Sequence, residues 1–187
     1  MKRCACSAEQ AETRRAKEVD PAELAGATVW IDGFNVLTTI EAALAGGPLL
    51  LGRDGALRDM ASMHGSYRRV EETGRALEAI AEAIGRRGPS RCRWLLDAPV
   101  SNSGRLRALL SELARSRGLD WTVDLVPDPD PLLVDADHVV VASADSRVMD
   151  GAARCWSLAR EVVEGMEGER WLVDLGGARR GAEGRAD

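Results

Sequence analysis

Ala27–Asp32 reads ATVWID, and Gly33–Leu37 continues it as GFNVL. An almost unbroken apolar run therefore ends on a carboxylate and then on glycine. Runs of this kind suit a central parallel strand covered on both faces, because neither face carries a polar alternate. Gly33 turns the chain after the acid. A short helix is expected to follow through Ile40–Ala45, until Gly46, Gly47 and Pro48 break it.

Outward from this stretch the same grammar repeats. Cys92–Asp97, CRWLLD, is a second apolar strand ending in an acid, and Ser101–Arg117 is a helix with Leu106, Leu109, Leu110 and Leu113 on one face and Gly118 as its stop. Trp121–Val126 is a third strand, followed by a stiff loop punctuated by Pro127, Pro129 and Pro131. Val139–Ala142 is a fourth strand, and Asp145 follows it after two small residues. A helix over Ala152–Met166 and a last strand at Trp171–Leu175 complete the series. Between the first two strands, 49–59 (LLLGRDGALRD) reads as a hairpin around Asp54–Gly55. Val70–Ile84 is an amphipathic helix carried by Val70, Ala76, Leu77, Ile80 and Ile84. Strands alternating with helices imply an α/β fold with a mostly parallel central sheet and right-handed crossovers.

The ends of the chain read differently. Residues 1–26 are polar and helix-prone, with Ser7 as a cap and Pro21 as a break, which predicts a helical N-terminal arm outside the core. Residues 27–175 hold the domain, and the tail 176–187, GGARRGAEGRAD, is expected to be disordered.

Composition narrows the function classes. The 187 residues are 45% apolar and 29% charged, enough for one domain with a well-buried core. A formal charge of −5 excludes a strongly basic nucleic-acid binder. It does not exclude an enzyme whose acids are neutralised by cations. The first twenty residues hold no apolar signal core, and no run approaches a membrane span, so a cytoplasmic protein without membrane contact is expected. Cys4 and Cys6 form C-x-C rather than C-x-x-C, and His64 and His138 are the only histidines. That is poor material for structural zinc. Free thiols are expected instead, with Cys92 and Cys155 in the core. No G-x-G-x-x-G follows a strand and no P-loop is present, which removes the usual nucleotide-binding signatures.

Ligands of open parallel sheets sit beyond the carboxyl ends of strands. Three strands here deliver an acid at or just past that end: Asp32, Asp97 and Asp145. One such Asp alone is ordinarily a cap or an Asx-turn. Three on separate strand ends favour a joint site, since their mutual repulsion is relieved by a divalent cation. Oxygen donors without a His or Cys cluster suit Mg²⁺ or Mn²⁺, which can activate water against a phosphodiester. Asn35, Ser101, Asn102 and Ser146 lie close by in sequence as groups to orient water or phosphate. Asp150, one short turn past Asp145, and Asp137, before the fourth strand, are candidates for a fourth carboxylate. The loop 58–69, RDMASMHGSYRR, offers Arg68 for phosphate, Tyr67 for stacking on a base and His64, against the plain alternative of a solvated surface loop.

The strings IDGFNVLTTIEAALAGGPLLL, RD-x4-HG-x-YR, LDAPVSNSG and ASADS, in this order, resemble the PIN and NYN-type nuclease superfamily, closest to a prokaryotic PIN-like family of unknown function. The resemblance covers about residues 27–175. It implies a PIN-like three-layer fold and metal-dependent hydrolysis of RNA, with Asp32, Asp97 and Asp145 at the matching acidic positions and Asn35 beside the first. PIN nucleases carry a further acid on an intervening helix. Glu41 and Asp59 are both candidates for it here, and the hairpin and HG-x-YR loop are not general PIN features.

Three functions compete. The first is a Mg²⁺- or Mn²⁺-dependent ribonuclease. The second is a non-catalytic RNA- or protein-binding module on a PIN-like fold, which predicts the same architecture without metal-dependent activity. The third, a haloacid-dehalogenase-type phosphatase, wants an acid two residues after the first, where this chain has Phe34. Self-association into a homo-oligomer is left open by the sequence.

Overall fold

The computed structural model describes residues 4–60 and 71–176. In chain order the elements are α1 (Ala8–Ala16), β1 (Thr28–Asp32), α2 (Gly33–Leu44), β2 (Leu49–Leu51), β3 (Leu57–Asp59), α3 (Thr73–Arg87) and β4 (Arg91–Asp97). They continue with α4 (Ser103–Arg117), β5 (Trp121–Val126), α5 (Pro129–Val134), β6 (Val140–Ala142), α6 (Ser146–Gly151), α7 (Leu158–Glu164) and β7 (Leu172–Asp174).

The central sheet has the order β5-β4-β1-β6 and every pair in it is parallel. Its two faces are both apolar, as the unbroken runs require. Val29, Ile31, Trp94, Leu96, Val140 and Ala142 pack on one side with side chains of α2, α3, α4 and α7. On the other side Leu95 and Val141 meet Leu133 of α5 and Val148 of α6. The α/β, three-layer reading of the sequence therefore holds. Crossovers run from β1 through β4 to β5 in one direction and then return past β1 to β6. The chain reverses its direction of travel at β1, which is the place where parallel sheets open a crevice for ligands.

Several elements depart from the sequence reading. The helix after Gly33 starts directly off β1 and spans the whole of α2. The proline loop after β5 folds into α5, with Asp128 capping it through the Asp130 N–H and Pro129 in its first turn, where a missing N–H costs nothing. The expected helix 152–166 shrinks to α7, because Cys155 is held in a bridge to Glu18 and Val141. The last strand joins the hairpin β2–β3 in a separate sheet of order β3-β2-β7.

The N-terminal arm is more than a loose lead-in. The expected cap forms as a reciprocal capping box between Ser7 and Gln10. Ala11 and Arg14 of α1 are buried. Cys92 and Cys155 are buried free thiols, and burial pushes them up to about 12 and about 11. Among the described residues no helix is long and apolar enough to cross a membrane. The expected disorder of 176–187 falls on residues that, apart from Gly176, lie outside the described ones.

Candidate functional site

Because the four strands of the central sheet are parallel, their carboxyl ends share one edge. Asp32 and Asp97 are the last residues of β1 and β4. Asp145 follows β6 and caps α6, accepting from the Arg147 N–H at 2.8 Å. Asp128 and Asp130 follow β5. All four strand ends thus deliver acids to this edge.

Asp32 is the innermost of them and is 6% exposed. Burial pushes its carboxyl up to about 7; the Ser143 hydroxyl opposes this, and repulsion from Asp130, Asp97 and Asp145 adds to it. Burial also raises Asp97, with repulsion from Asp128 behind it. Asp130 is raised by burial, then by repulsion from Asp145 and Asp128, against the pull of Arg147, whose guanidinium lies 3.6 Å away. The carboxylates sense one another, and desolvation raises the central one.

The loop Ser143–Asp145 is held in place from several directions. Ser143 Oγ donates to Asp32 Oδ2 at 2.7 Å and accepts from the Asp145 N–H at 3.0 Å. Asn35 Oδ1 accepts from the Ala144 N–H at 2.8 Å. Arg58 Nε donates to the Ala144 carbonyl at 2.7 Å.

The structure brings Asp32, Asp97 and Asp145 to one edge, as the strand-end pattern predicts. It moves other predicted residues elsewhere. Asp150 is not part of the acidic edge: both its oxygens receive from Arg14, at 2.7 and 2.9 Å, and this guanidinium holds the carboxyl below its ordinary range. Ser146 accepts from the same Arg14 at 3.2 Å. Asn35 is a tether for the loop. Ser101 and Asn102 stand exposed in the turn between Asp97 and α4, but the Asn102 side chain makes no cap, its backbone lying in the left-handed region at φ 66°. Glu41 accepts from Thr73 at 2.5 Å, and Asp59 from Thr38 and Thr39 at 3.3 and 3.0 Å, so both are built into the α2 seams. Asp137 is exposed ahead of β6, at the opposite end of the strand. Arg68, Tyr67 and His64 lie outside the described residues.

Sequence reading missed Asp128 and Asp130. Their signal was the one used for the other acids, a carboxylate just past a strand end, hidden among prolines. It also missed the paired role of Ser143.

The donor chemistry of this edge limits how a divalent cation could be held. Among the described residues, no three His, Cys, Asp or Glu side chains stand close enough to enclose a metal by themselves. The donors are all oxygens, however, and Mg²⁺ commonly uses one or two carboxylates and completes its shell with water and substrate phosphate. A cation at this edge would be shared with a ligand rather than enclosed in a closed protein cage.

The family described as "Domain of unknown function (DUF5616)" matches residues 21–161. An uncharacterized protein of Methanocaldococcus jannaschii, MJ0935, is 32% identical over 124 residues, which is 66% of this chain and 58% of that relative. The chain thus spans rather more than half of the archaeal protein's length. No solved structure matches the chain.

Proposed function

The chain belongs to the DUF5616 family, and we propose, from the geometry of its acidic strand-end edge, that it is a divalent-metal-dependent ribonuclease hydrolysing phosphodiester bonds there. The observation that carries this reading is Asp32. A buried carboxyl pushed up by desolvation and by three neighbouring acids is a poor structural element and a good cation ligand. Asp32, Asp97, Asp130 and Asp145 would hold Mg²⁺ or Mn²⁺. The chemistry such a cation supplies is activation of water and relief of charge on the phosphoryl oxygens.

The chain's own residues set the stage. Ser143 Oγ donates to Asp32 Oδ2, so Oδ1 would be the oxygen offered to a cation. Asn35 and Arg58 fix the peptide of Ala144, so that Asp145 projects from a rigid loop. Arg147, two-thirds exposed beside Asp130, would be the cation that meets a substrate phosphate. The PIN-like resemblance of the motifs favours RNA as the polyanion. The four cysteines are free, which supports a reducing, cytoplasmic setting.

Calorimetric titration of Mn²⁺ into metal-stripped protein, beside Asp32→Asn, tests the reading without a guess at the substrate. Saturable binding by the wild type, weakened about tenfold in the variant, together with Mn²⁺-dependent cleavage of a labelled oligoribonucleotide pool, is the expected result. Binding without cleavage would leave the RNA- or protein-binding module as the better account. A folded wild type that takes no Mn²⁺, alone or with oligonucleotide, overturns the metal site.

A further inference from the structure

We propose that Arg14 and Arg58 are positioning residues for the strand-end acids, forming with Asp54 a buried relay that runs from α1 to the Ser143–Asp145 loop. The proposal rests on the reading of that loop as part of a cation site, and deepens it by naming what holds the loop.

The relay is continuous. Arg14, Asp54 and Arg58 are 3%, 2% and 3% exposed. Asp54 Oδ2 receives Arg14 Nη1 and Arg58 Nη2, each at 2.7 Å, and Oδ1 receives Arg58 Nη1 at 2.9 Å. The Nε–H of Arg58 goes to the Ala144 carbonyl, and Nη2 also reaches Met149 Sδ at 3.6 Å. The N–H of that peptide unit is the Asp145 N–H, taken by Ser143 Oγ, while the N–H of Ala144 itself goes to Asn35; Ala144 thus sits, held on both sides, between the serine that grips Asp32 and the aspartate at the head of α6. Arg14 meanwhile grips α6 from its other end through Asp150, while Lys17 Nζ donates to the Met149 and Asp150 carbonyls. Helix α6 is therefore fixed at its head by the Ala144 peptide and at its tail by α1.

Stability alone is a weak explanation for this arrangement. Apolar side chains of the same volume generally serve a buried site as well as a charged network does. What two planar guanidinium forks on one carboxylate provide is direction. Every donor direction that this network uses ends on the hairpin, on α6 or on the loop that carries the acids. The hairpin accordingly turns Asp54 inward, although an Asp-Gly turn ordinarily points to solvent.

Amide hydrogen exchange by NMR on Arg14→Met, Arg14→Lys and Asp150→Ala decides the matter, with Mn²⁺ titration of the same samples. Asp150 is half exposed on its side chain, so its variant keeps the fold even where Arg14→Met does not. The expected result is exchange at Ala144 and Asp145 rising at least about tenfold relative to Leu95 in β4, with partial rescue in Arg14→Lys, a smaller effect of the same sign in Asp150→Ala, and weaker Mn²⁺ binding that tracks the exchange. A uniform rise across the sheet, or an unchanged loop, overturns the relay. A loosened loop with wild-type Mn²⁺ affinity overturns its positioning role. A wild type that takes no Mn²⁺ overturns the metal reading, and the exchange ratio between loop and β4 still decides the relay.

Discussion

Ser143 Oγ lies 2.7 Å from Asp32 Oδ2 and joins the end of β6 to the end of β1 through one hydroxyl. The same oxygen accepts the Asp145 N–H, so two acids from neighbouring strands are referenced to a single atom. Substituting Ser143 by Ala leaves the Asp145 N–H without this acceptor and removes a hydrogen bond that eases ionisation of Asp32. It is expected to cost about 1–3 kcal/mol and to raise the Asp32 carboxyl further, both readable by urea unfolding and carboxyl ¹³C NMR.

Asp32 makes stability fall with pH. Its folded-state value of about 7 stands above the ordinary carboxyl value. The folded protein therefore binds this proton more tightly than the unfolded chain. The stabilisation is fully present below about pH 4 and is lost as pH rises through about 7, by up to roughly 4 kcal/mol. Urea unfolding of the metal-free protein across this range, read as the difference from Asp32→Asn, is expected to show the variant gaining on the wild type steadily from acid to neutral. A constant difference would mean that Asp32 ionises normally.

Asp130 is the carboxylate to test against Asp137. Asp130 repels Asp32 at the acidic edge, whereas Asp137 is exposed ahead of β6, at the other end of that strand. In Mn²⁺ titrations Asp130→Asn is expected to bind about tenfold more weakly, about 1.4 kcal/mol, with Asp137→Asn at wild-type affinity. Equal affinities in the two variants would remove Asp130 from the site.

How much of this was legible in the sequence depends on the range of the forces involved. The runs VWID, WLLD and VVVA announce buried parallel strands by local pattern, and the shared edge of Asp32, Asp97 and Asp145 follows from parallelism alone. Asp130 was equally visible by position, but the prolines around it suggest a loop, and α5 exists because Leu133 has a sheet face to cover. Asp150 was misleading because its partner, Arg14, lies 136 residues away. Pairings at that separation leave no periodicity to read. The inward turn of Asp54 is hidden for the same reason, since a buried aspartate needs two arginines from distant elements.

Asp54 predicts the acid limb. Its carboxyl is held down to about 2 by Arg58 and Arg14 despite burial. A depressed value means stability that is present above about pH 4 and lost as pH falls towards about 2. Arg58→Met leaves Asp54 buried with half its partners and is expected to cost about 3–5 kcal/mol at neutral pH and to move acid unfolding to higher pH. Circular dichroism during an acid titration reads both. An unchanged acid midpoint would show that Arg14 alone suffices for Asp54.

Two helical glycines are expected to respond to alanine with opposite signs. At Gly33, the first residue of α2, an added Cβ meets Leu96 Cδ2 at 2.4 Å and the Leu95 carbonyl at 3.1 Å. Leu96 is fully buried in the core between sheet and helices and has no free space to swing into, and the Leu95 carbonyl belongs to the ladder of β4. Relief must come from moving α2 away from the sheet, which drags Asp32 from Ser143. Overpacking of this kind costs about 1–3 kcal/mol. Gly85, on the exposed side of α3, has nothing within 4 Å of the added atom. There alanine only removes the conformational freedom of glycine, and the variant gains about 1 kcal/mol. Urea unfolding of both variants checks the pair. Since the same chemical change is made in each, a loss at Gly33 with a gain at Gly85 isolates the close approach of α2 to β4, the contact that sets where the first acid stands. A stable Gly33→Ala protein would show that α2 has slack, and that Asp32 is placed by the Ser143 bond rather than by the packing behind it.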